Sequence, residues 1–152
     1  MDIWSKSKRS QVMARIRSKN TKPEKLIRSL LHRLGLRFRL HRKSLPGCPD
    51  IVMPKWNAVI FVNGCFWHLH KNCRDGKFPR TDRQAWKKKL LKNVRRDRNA
   101  IRALIRAGWN TIVVWECELR QNPTSTAERI AELVRGRGLK QPRLGNGRAR
   151  AG

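Results

Sequence analysis

The sequence has no tyrosine, only ten acidic residues among 152, and no long apolar run. The absence of an apolar stretch of about 18 residues argues against a membrane-spanning helix, so we expect no membrane partner. No secretory signal pattern is visible, and the chain is therefore expected in the cytoplasm. In that reducing compartment its four cysteines are more readily metal ligands or free thiols than disulfides.

The shortage of acidic residues stands beside 37 lysines and arginines, which give a formal net charge of +27. Solubility does not require so large an excess of one sign. It predicts a polyanionic partner, of which nucleic acid is the first candidate. Hydrophobic residues make up 39% of the chain, which is enough for a folded core.

The length favours one folded domain, with basic segments at both ends. We predict a basic N-terminal helix or arm over 1–20, a folded domain over 21–136, and a flexible basic tail over 137–152. Apolar periodicity and turn residues predict the elements within the domain. The predicted helices cover 21–35, 80–108 and 124–136, and the predicted strands cover 36–41, 50–53, 58–62 and 109–119. This order indicates an α/β fold with a central mixed sheet flanked by helices.

The segment "CFWHLHKNC" places Cys65, His70 and Cys73 in the spacing C-x4-H-x2-C, and Cys117 can supply a fourth ligand. A Cys3His set is typical of a closed, structural zinc site. Three free thiols with a surface histidine are the alternative. His68 could replace His70 as the ligand on spacing alone.

Few carboxylates are available for chemistry, and Asp50 stands directly before an apolar strand, after the turn "LPGCP". A carboxylate in such a place can hold Mg²⁺, although it could equally cap the strand and pair with an arginine. Glu24 could face the same site from the first helix, or it could complete a capping box with Thr21. His68 is the best acid–base candidate because its ordinary pKa lies near the working range.

Phe66, Trp67 and Trp86 form an unusual aromatic set on a basic chain. Large apolar side chains can wedge between base steps and kink a duplex. A metal-bound loop would hold such a wedge rigid. Trp86 could instead be part of the core on its helix face.

Four segments together resemble the Vsr (very short patch repair) endonuclease family: "SLPGCPDIV", "VIFVNGCFWHLHKNC", "W…KNVRRDR" and "GWNTIVVWECEL". The resemblance covers roughly residues 5 to 120. It implies a divergent PD-(D/E)XK, restriction-endonuclease-like fold with a structural zinc site and a catalytic Mg²⁺. It also implies strand-specific nicking 5′ of the T in a T·G mismatch, which arises by deamination of 5-methylcytosine.

The resemblance also implies roles for particular residues. Asp50 would be the main Mg²⁺ ligand together with the backbone carbonyl of Val62, and Glu24 would support them. Met13 matches the position that inserts from the minor groove. Two further sets are implied, namely the major-groove aromatics Phe66, Trp67 and Trp86 and the zinc ligands Cys65, His70, Cys73 and Cys117.

Asn63 departs from the family pattern, because a histidine occupies this position in the best-characterised member. Asparagine cannot exchange a proton at neutral pH, but it can orient a water or hydrogen-bond a phosphate oxygen. His68 matches a second active-site histidine and remains available for proton transfer.

Two functions from different classes follow from these patterns. The first is a Mg²⁺-dependent, zinc-containing mismatch endonuclease that acts on double-stranded DNA with a T·G mismatch. Such an enzyme is expected to be a nucleoid-associated monomer that meets mismatch-repair proteins. The second is a non-catalytic basic zinc module that binds nucleic acid by charge alone. Asp50 and its flanking strands favour the enzyme, because a pure binding module does not need them.

Overall fold

A four-stranded mixed sheet lies at the centre of the protein, in a computed structural model that describes residues 21–136. The strands are β1 (Arg39–Leu40), β2 (Ile51–Met53), β3 (Ala58–Asn63) and β4 (Asn110–Trp115), in that spatial order. The first three strands pair antiparallel, with Ile51 opposite Ile60, and β3 pairs parallel with β4, with Ile60 opposite Ile112. The predicted α/β class with a mixed sheet is confirmed.

The predicted arm over 1–20, which contains Met13, and the predicted tail over 137–152 lie outside the described residues. Within 21–136, no helix is sufficiently long and apolar to cross a membrane.

Helix α1 (Lys22–Arg33) begins and ends where its sequence predicts. The Thr21 hydroxyl accepts a hydrogen bond from the Glu24 N–H at 3.4 Å, which caps the first turn. Gly35 has a φ of +87°, a left-handed conformation that glycine adopts without a steric penalty. Ile27 and Leu31 are fully buried and face the sheet.

Both faces of the sheet are covered by helices. Neighbouring residues of a strand point to opposite faces, so one strand contributes side chains to the core on each side. Ile51 and Met53 belong to the larger core, against α1 and the C-terminal helix. Val52, between them, packs with Val59 and with Leu104 of helix α2 (Arg83–Arg106). The domain is therefore three layers thick, with α2 on the opposite face from α1.

Helix α2 is long and strongly basic, with ten lysines and arginines and a single acidic residue, Asp97. Leu90 and Leu104 are its buried residues. Most of its surface is exposed, and it gives this side of the domain a dense positive charge.

One predicted strand is too long near the C-terminus, and the helix that follows it was not predicted. The strand predicted over 109–119 ends at Trp115, and helix α3 (Glu116–Gln121) begins at once. The Glu118 carboxylate accepts the Trp115 N–H at 3.2 Å, so acidic residues in the first turn stabilise this helix start. Cys117 consequently lies in a helix and not in a strand.

The last helix, α4 (Pro123–Arg135), begins just before the predicted range of 124–136. Asn122 is its N-cap residue, and Pro123 occupies the first turn, where a missing N–H costs nothing.

The strand predicted over 36–41 is reduced to Arg39–Leu40. Strands β2 and β3 were both predicted, and they form an antiparallel hairpin with a 3₁₀ turn (Pro54–Trp56) between them.

Candidate metal centres and nucleic-acid surface

The loop after β3 and the start of α3 bring Cys65, His70, Cys73 and Cys117 together. Their ligand atoms all lie within 4.8 Å of one another. His70 Nδ1 is 3.6 Å from Cys65 Sγ and 3.4 Å from Cys117 Sγ. His70 belongs to this cluster, and His68 does not.

The distances in this thiol cluster fit a tetrahedral ion. Sulfur and nitrogen ligands at the usual bond lengths of about 2.3 and 2.0–2.1 Å are separated by roughly 3.5 Å at the edges of a tetrahedron. The two measured edges match that value within about 0.1 Å. The His70 nitrogen therefore already has the spacing from two of the sulfurs that a shared tetrahedral ion requires.

Neighbouring groups hold the thiol cluster in place. The His70 ring stacks on Trp115 with the ring centroids 4.0 Å apart and the planes at 8°. The Glu116 carboxylate accepts the Cys65 N–H at 3.1 Å. At Gly76 an added Cβ would lie 2.2 Å from the His70 carbonyl oxygen, so this loop can close only around a glycine.

Burial makes two of the three thiols poor acids unless a cation accompanies them. It raises the pKa of Cys65 to about 12 and also raises the pKa of Cys117. The pKa of Cys73 is lowered, chiefly because the Asp75 backbone N–H donates to its sulfur. A metal ion that binds this cluster must therefore displace protons, and its affinity must rise with pH.

A second cluster, of Glu24, His41 and Asp50, lies at the start of β2. Its ligand atoms also lie within 4.8 Å of one another. Glu24 Oε2 is 2.7 Å from His41 Nε2, and it also pairs with Arg28 one helical turn away. Glu24 is almost fully buried, with 1% of its surface exposed. Its side chain thus groups with Asp50, which is one of the two arrangements that the sequence left open.

Asp50 is held at one edge of this carboxylate cluster by the Val62 N–H, which donates to its Oδ2 at 2.7 Å. Burial raises the pKa of Asp50 from 3.8 to about 6. The Val62 hydrogen bond opposes the rise, and the neighbouring negative charge of Glu24 adds to it. The site therefore disfavours a bare negative charge and gains when a cation binds.

His68 and Asn63 line a groove of about 850 Å³ between β4 and α2. His68 Nδ1 contacts Asp97 Oδ2 at 2.5 Å, which orients the ring from the helix opposite. Arg98, Arg102 and Arg106 border the same groove. It therefore combines an oriented imidazole with a row of positive charges, which suits a phosphate-containing ligand.

Phe66, Trp67 and Trp86 form a half-buried cluster at the N-terminal end of α2. Their ring centroids are 5.1 to 5.9 Å apart, and all three pairs meet edge to face. The Lys89 ammonium lies 5.6 Å from both tryptophan rings. The Trp67 carbonyl accepts a hydrogen bond from the Asn93 amide at 3.2 Å, which ties the loop to the helix. The trio is thus one apolar unit on a basic surface.

Sequence reasoning missed three of the groups that complete these sites. His41 joins the carboxylate cluster, Asp97 orients His68, and Glu116 holds the thiol loop. The scarcity of carboxylates was an available signal for Asp97, since it is the only acid in a very basic helix. His41 gave no such signal, because it only looked like the end of a strand.

The chain resembles known proteins along most of its length. The sequence model of a family described as DNA mismatch endonuclease Vsr matches residues 1–75. The type II nicking enzyme V.XorIIP of Xanthomonas oryzae pv. oryzae is 52% identical over 118 residues, which cover 78% of this chain and 86% of that protein. V.NmeAIP of Neisseria meningitidis serogroup A is 45% identical over 134 residues, 88% of this chain and 94% of that protein. DNA mismatch endonuclease Vsr of Escherichia coli is 43% identical over 133 residues, 88% of this chain and 85% of that protein.

Proposed function

Because the chain belongs to the Vsr family of DNA mismatch endonucleases, and is itself an endonuclease, we propose that it nicks one DNA strand 5′ of the T in a T·G mismatch. Such a mismatch is the product of 5-methylcytosine deamination. The proposal includes a divergent PD-(D/E)XK fold, which the family implies and with which the observed mixed sheet is compatible. It also includes a basic arm over 1–20, a nuclease domain over 21–136 and a basic tail over 137–152.

The observation that carries the catalytic proposal is the convergence of Asp50 and Glu24 in a chain that has few acidic residues. Carboxylate oxygens are the ligands that Mg²⁺ prefers. The Val62 carbonyl supports the same site, because the N–H and C=O of one strand residue point to the same side and the Val62 N–H faces Asp50. When bound there, Mg²⁺ supplies a Lewis acid for the scissile phosphate.

His68 is the proposed proton carrier of the reaction. Its Nδ1 is engaged by Asp97, so Nε2 is free to exchange a proton with an attacking water or with the leaving oxygen. Asn63 borders the same groove and can donate its amide N–H to a phosphate oxygen. In this arrangement one histidine transfers protons and the asparagine positions the phosphate.

The thiol cluster is proposed to hold one structural Zn²⁺, through Cys65, His70, Cys73 and Cys117. The tetrahedral spacing supports this, and so does a complete set of four protein donors, which leaves no open position for chemistry. The clamp would join the loop after β3 to helix α3. The aromatic residues Phe66 and Trp67 lie inside that loop, so zinc would keep them rigid.

The aromatic trio of Phe66, Trp67 and Trp86 is proposed to enter the major groove beside the mismatch, with Met13 inserting from the minor groove. A T·G pair is weakly stacked, so opening it costs less than opening a matched step. The basic surface of α2 supports contact with the phosphates on either side. Double-stranded DNA is thus the proposed substrate of a monomeric enzyme, and mismatch-repair proteins are proposed partners.

A panel of end-labelled duplexes tests this function. The panel contains T·G, each other mismatch and the matched pairs, incubated with Mg²⁺ or with EDTA. We expect a single nick 5′ of the mismatched T in the presence of Mg²⁺, and none with EDTA. Binding to all duplexes without any nick would support a non-catalytic basic zinc module instead.

A further inference from the structure

The carboxylate cluster contains a nitrogen donor that an all-oxygen Mg²⁺ site does not need. We infer that His41 is a third protein ligand of the catalytic cation, beside Asp50 and Glu24, and that it shifts the preference of the site from Mg²⁺ towards first-row transition ions such as Mn²⁺. The inference rests on the proposed metal-dependent function and concerns the ligands of that same centre.

The position of His41 is fixed by the residue that it would assist. Its backbone N–H donates to the Asp50 carbonyl at 3.2 Å, so the two residues are tied across β1 and β2. His41 has a φ of +45°, in the left-handed region that few non-glycine residues adopt. The ring lies at the cluster, where Nε2 approaches Glu24.

The contacts of His41 Nε2 are those of a ligand position. This nitrogen is 2.7 Å from Glu24 Oε2 and 3.3 Å from Arg28 Nη2. A single ring nitrogen either donates a proton to the carboxylate or accepts one from the guanidinium, but it cannot do both. A cation between Glu24 and His41 satisfies the carboxylate oxygen and the nitrogen lone pair together.

The spacing also suits an octahedral ion. Two ligands that are about 2.0–2.1 Å from one ion, at right angles, lie about 2.9 Å apart. The contact between Glu24 and His41 is within a few tenths of an ångström of that value, and all three ligand atoms are already grouped. Small side-chain shifts would complete the site.

The donor set then determines the preferred ion. Mg²⁺ takes oxygen ligands almost exclusively and keeps several waters. An imidazole nitrogen favours first-row transition ions, and Mn²⁺ accepts both carboxylate and imidazole. A centre with two carboxylates and one imidazole should therefore bind Mn²⁺ more tightly, relative to Mg²⁺, than a centre with the carboxylates alone.

The test measures Mn²⁺ binding directly in the zinc-containing protein, without DNA. Free Mn²⁺ is followed by electron paramagnetic resonance during a titration, with Mg²⁺ as competitor. The variants are His41→Gln, which retains a hydrogen bond to Glu24 but has no imidazole, and the control His32→Gln at an exposed histidine of α1. We expect His41→Gln to weaken Mn²⁺ binding about tenfold or more, with a smaller effect on Mg²⁺, and His32→Gln to have no effect.

A second measurement does not depend on any variant. Electron spin echo modulation of Mn²⁺ bound to the wild-type protein should show coupling to a histidine nitrogen, and ¹⁵N-histidine labelling should change that coupling.

Unchanged Mn²⁺ affinity in a folded His41→Gln variant, or bound Mn²⁺ without nitrogen coupling, would overturn the assignment of His41 and leave the Asp50 centre intact. If Asp50→Asn binds Mn²⁺ as the wild type does, the metal centre of the proposed function is itself misplaced and the assignment of His41 fails with it.

Discussion

The thiol cluster and the carboxylate cluster both gather metal-binding side chains, but they differ in donors and in surroundings. In the thiol cluster three sulfurs and one nitrogen lie within 4.8 Å of one another, and the nitrogen is at tetrahedral distances from two of the sulfurs. Trp115 and Glu116 hold this cluster in place. The carboxylate cluster, of Glu24, His41 and Asp50, has oxygen-rich donors and too few of them to enclose an ion.

This difference supports the proposal that the two clusters hold different metals. Soft sulfur donors in a closed set select zinc and leave no position for substrate. Hard oxygen donors in an incomplete set select a cation that keeps open positions for water and phosphate. The thiol cluster thus fits a structural role, and the carboxylate cluster fits a catalytic one. The following predictions test this division, from the largest expected effect to the smallest.

Asp50→Asn should remove nicking while the fold and DNA binding persist. The variant is nearly isosteric, but it loses the charged oxygen that holds the cation, so we expect a loss of about a thousandfold in the single-turnover rate. Glu128→Gln, at an exposed position of α4, is the matched control and should have no effect. A rate within a few-fold of wild type would mean that Asp50 is only a strand cap.

Cys117→Ser should destabilise the folded protein. The loss of one of four ligands should release zinc and lower the free energy of unfolding by at least about 3 kcal/mol, a modest share of the roughly 10–16 kcal/mol seen for structural zinc in small domains. Cys48→Ser, at a cysteine outside the thiol cluster, is the control. Elemental analysis and thermal melts provide the measurement. A Cys117→Ser protein with wild-type stability would contradict the proposal that zinc joins the loop after β3 to helix α3.

Asp50→Asn should also stabilise the protein in the absence of added Mg²⁺, with a distinct pH dependence. The pKa of Asp50 is raised from 3.8 to about 6 in the folded protein, so its ionised form disfavours folding. The loss of folding free energy caused by ionised Asp50 is absent below about pH 4 and reaches its full value above about pH 6. A pKa shift of this size corresponds to a loss of roughly 2–3 kcal/mol at most. The variant and the wild type should therefore melt alike at pH 4, and the variant should melt higher at pH 7.5. Equal melting temperatures of the variant and the wild type at both pH values would show that burial does not raise the pKa of Asp50.

Trp67→Ala should reduce the ratio of T·G to matched-duplex affinity by about tenfold, since base–aromatic stacking contributes on the order of 1–3 kcal/mol. The salt dependence should stay unchanged, because no phosphate contact is lost. Phe78→Ala, at a half-buried aromatic near Arg83 and outside the trio, is the control. If Trp67 only supports the loop, the variant will melt at a lower temperature and will bind both duplexes more weakly, by the same factor.

The parts of the molecule that sequence predicted well are those fixed by local patterns. Helix α1 is specified by Thr21, Pro23 and the spacing of Ile27 and Leu31, and the hairpin is specified by two short runs of β-branched residues. The grouping of the four Cys3His residues was likewise visible, because three of them occur within nine positions.

The parts that sequence missed depend on contacts between distant residues. No glycine or proline interrupts residues 109 to 119, so the sequence suggests one strand. The bond from the Trp115 N–H to Glu118 marks where the helix begins. Asp97 reaches His68 from 29 positions away, and His41 reaches Glu24 from 17 positions away. Periodicity carries no information about such pairs, since it describes neighbours along a single element.

The most direct test of the two-metal account is nicking of a T·G duplex by protein whose zinc content is held at one per chain while Mg²⁺ is removed by dialysis and then restored. The account predicts a folded protein that retains its zinc, makes no nick without Mg²⁺, and recovers strand-specific nicking when Mg²⁺ returns. Nicking that persists in the Mg²⁺-free protein would contradict it, because the closed thiol cluster has no open position to supply the reaction.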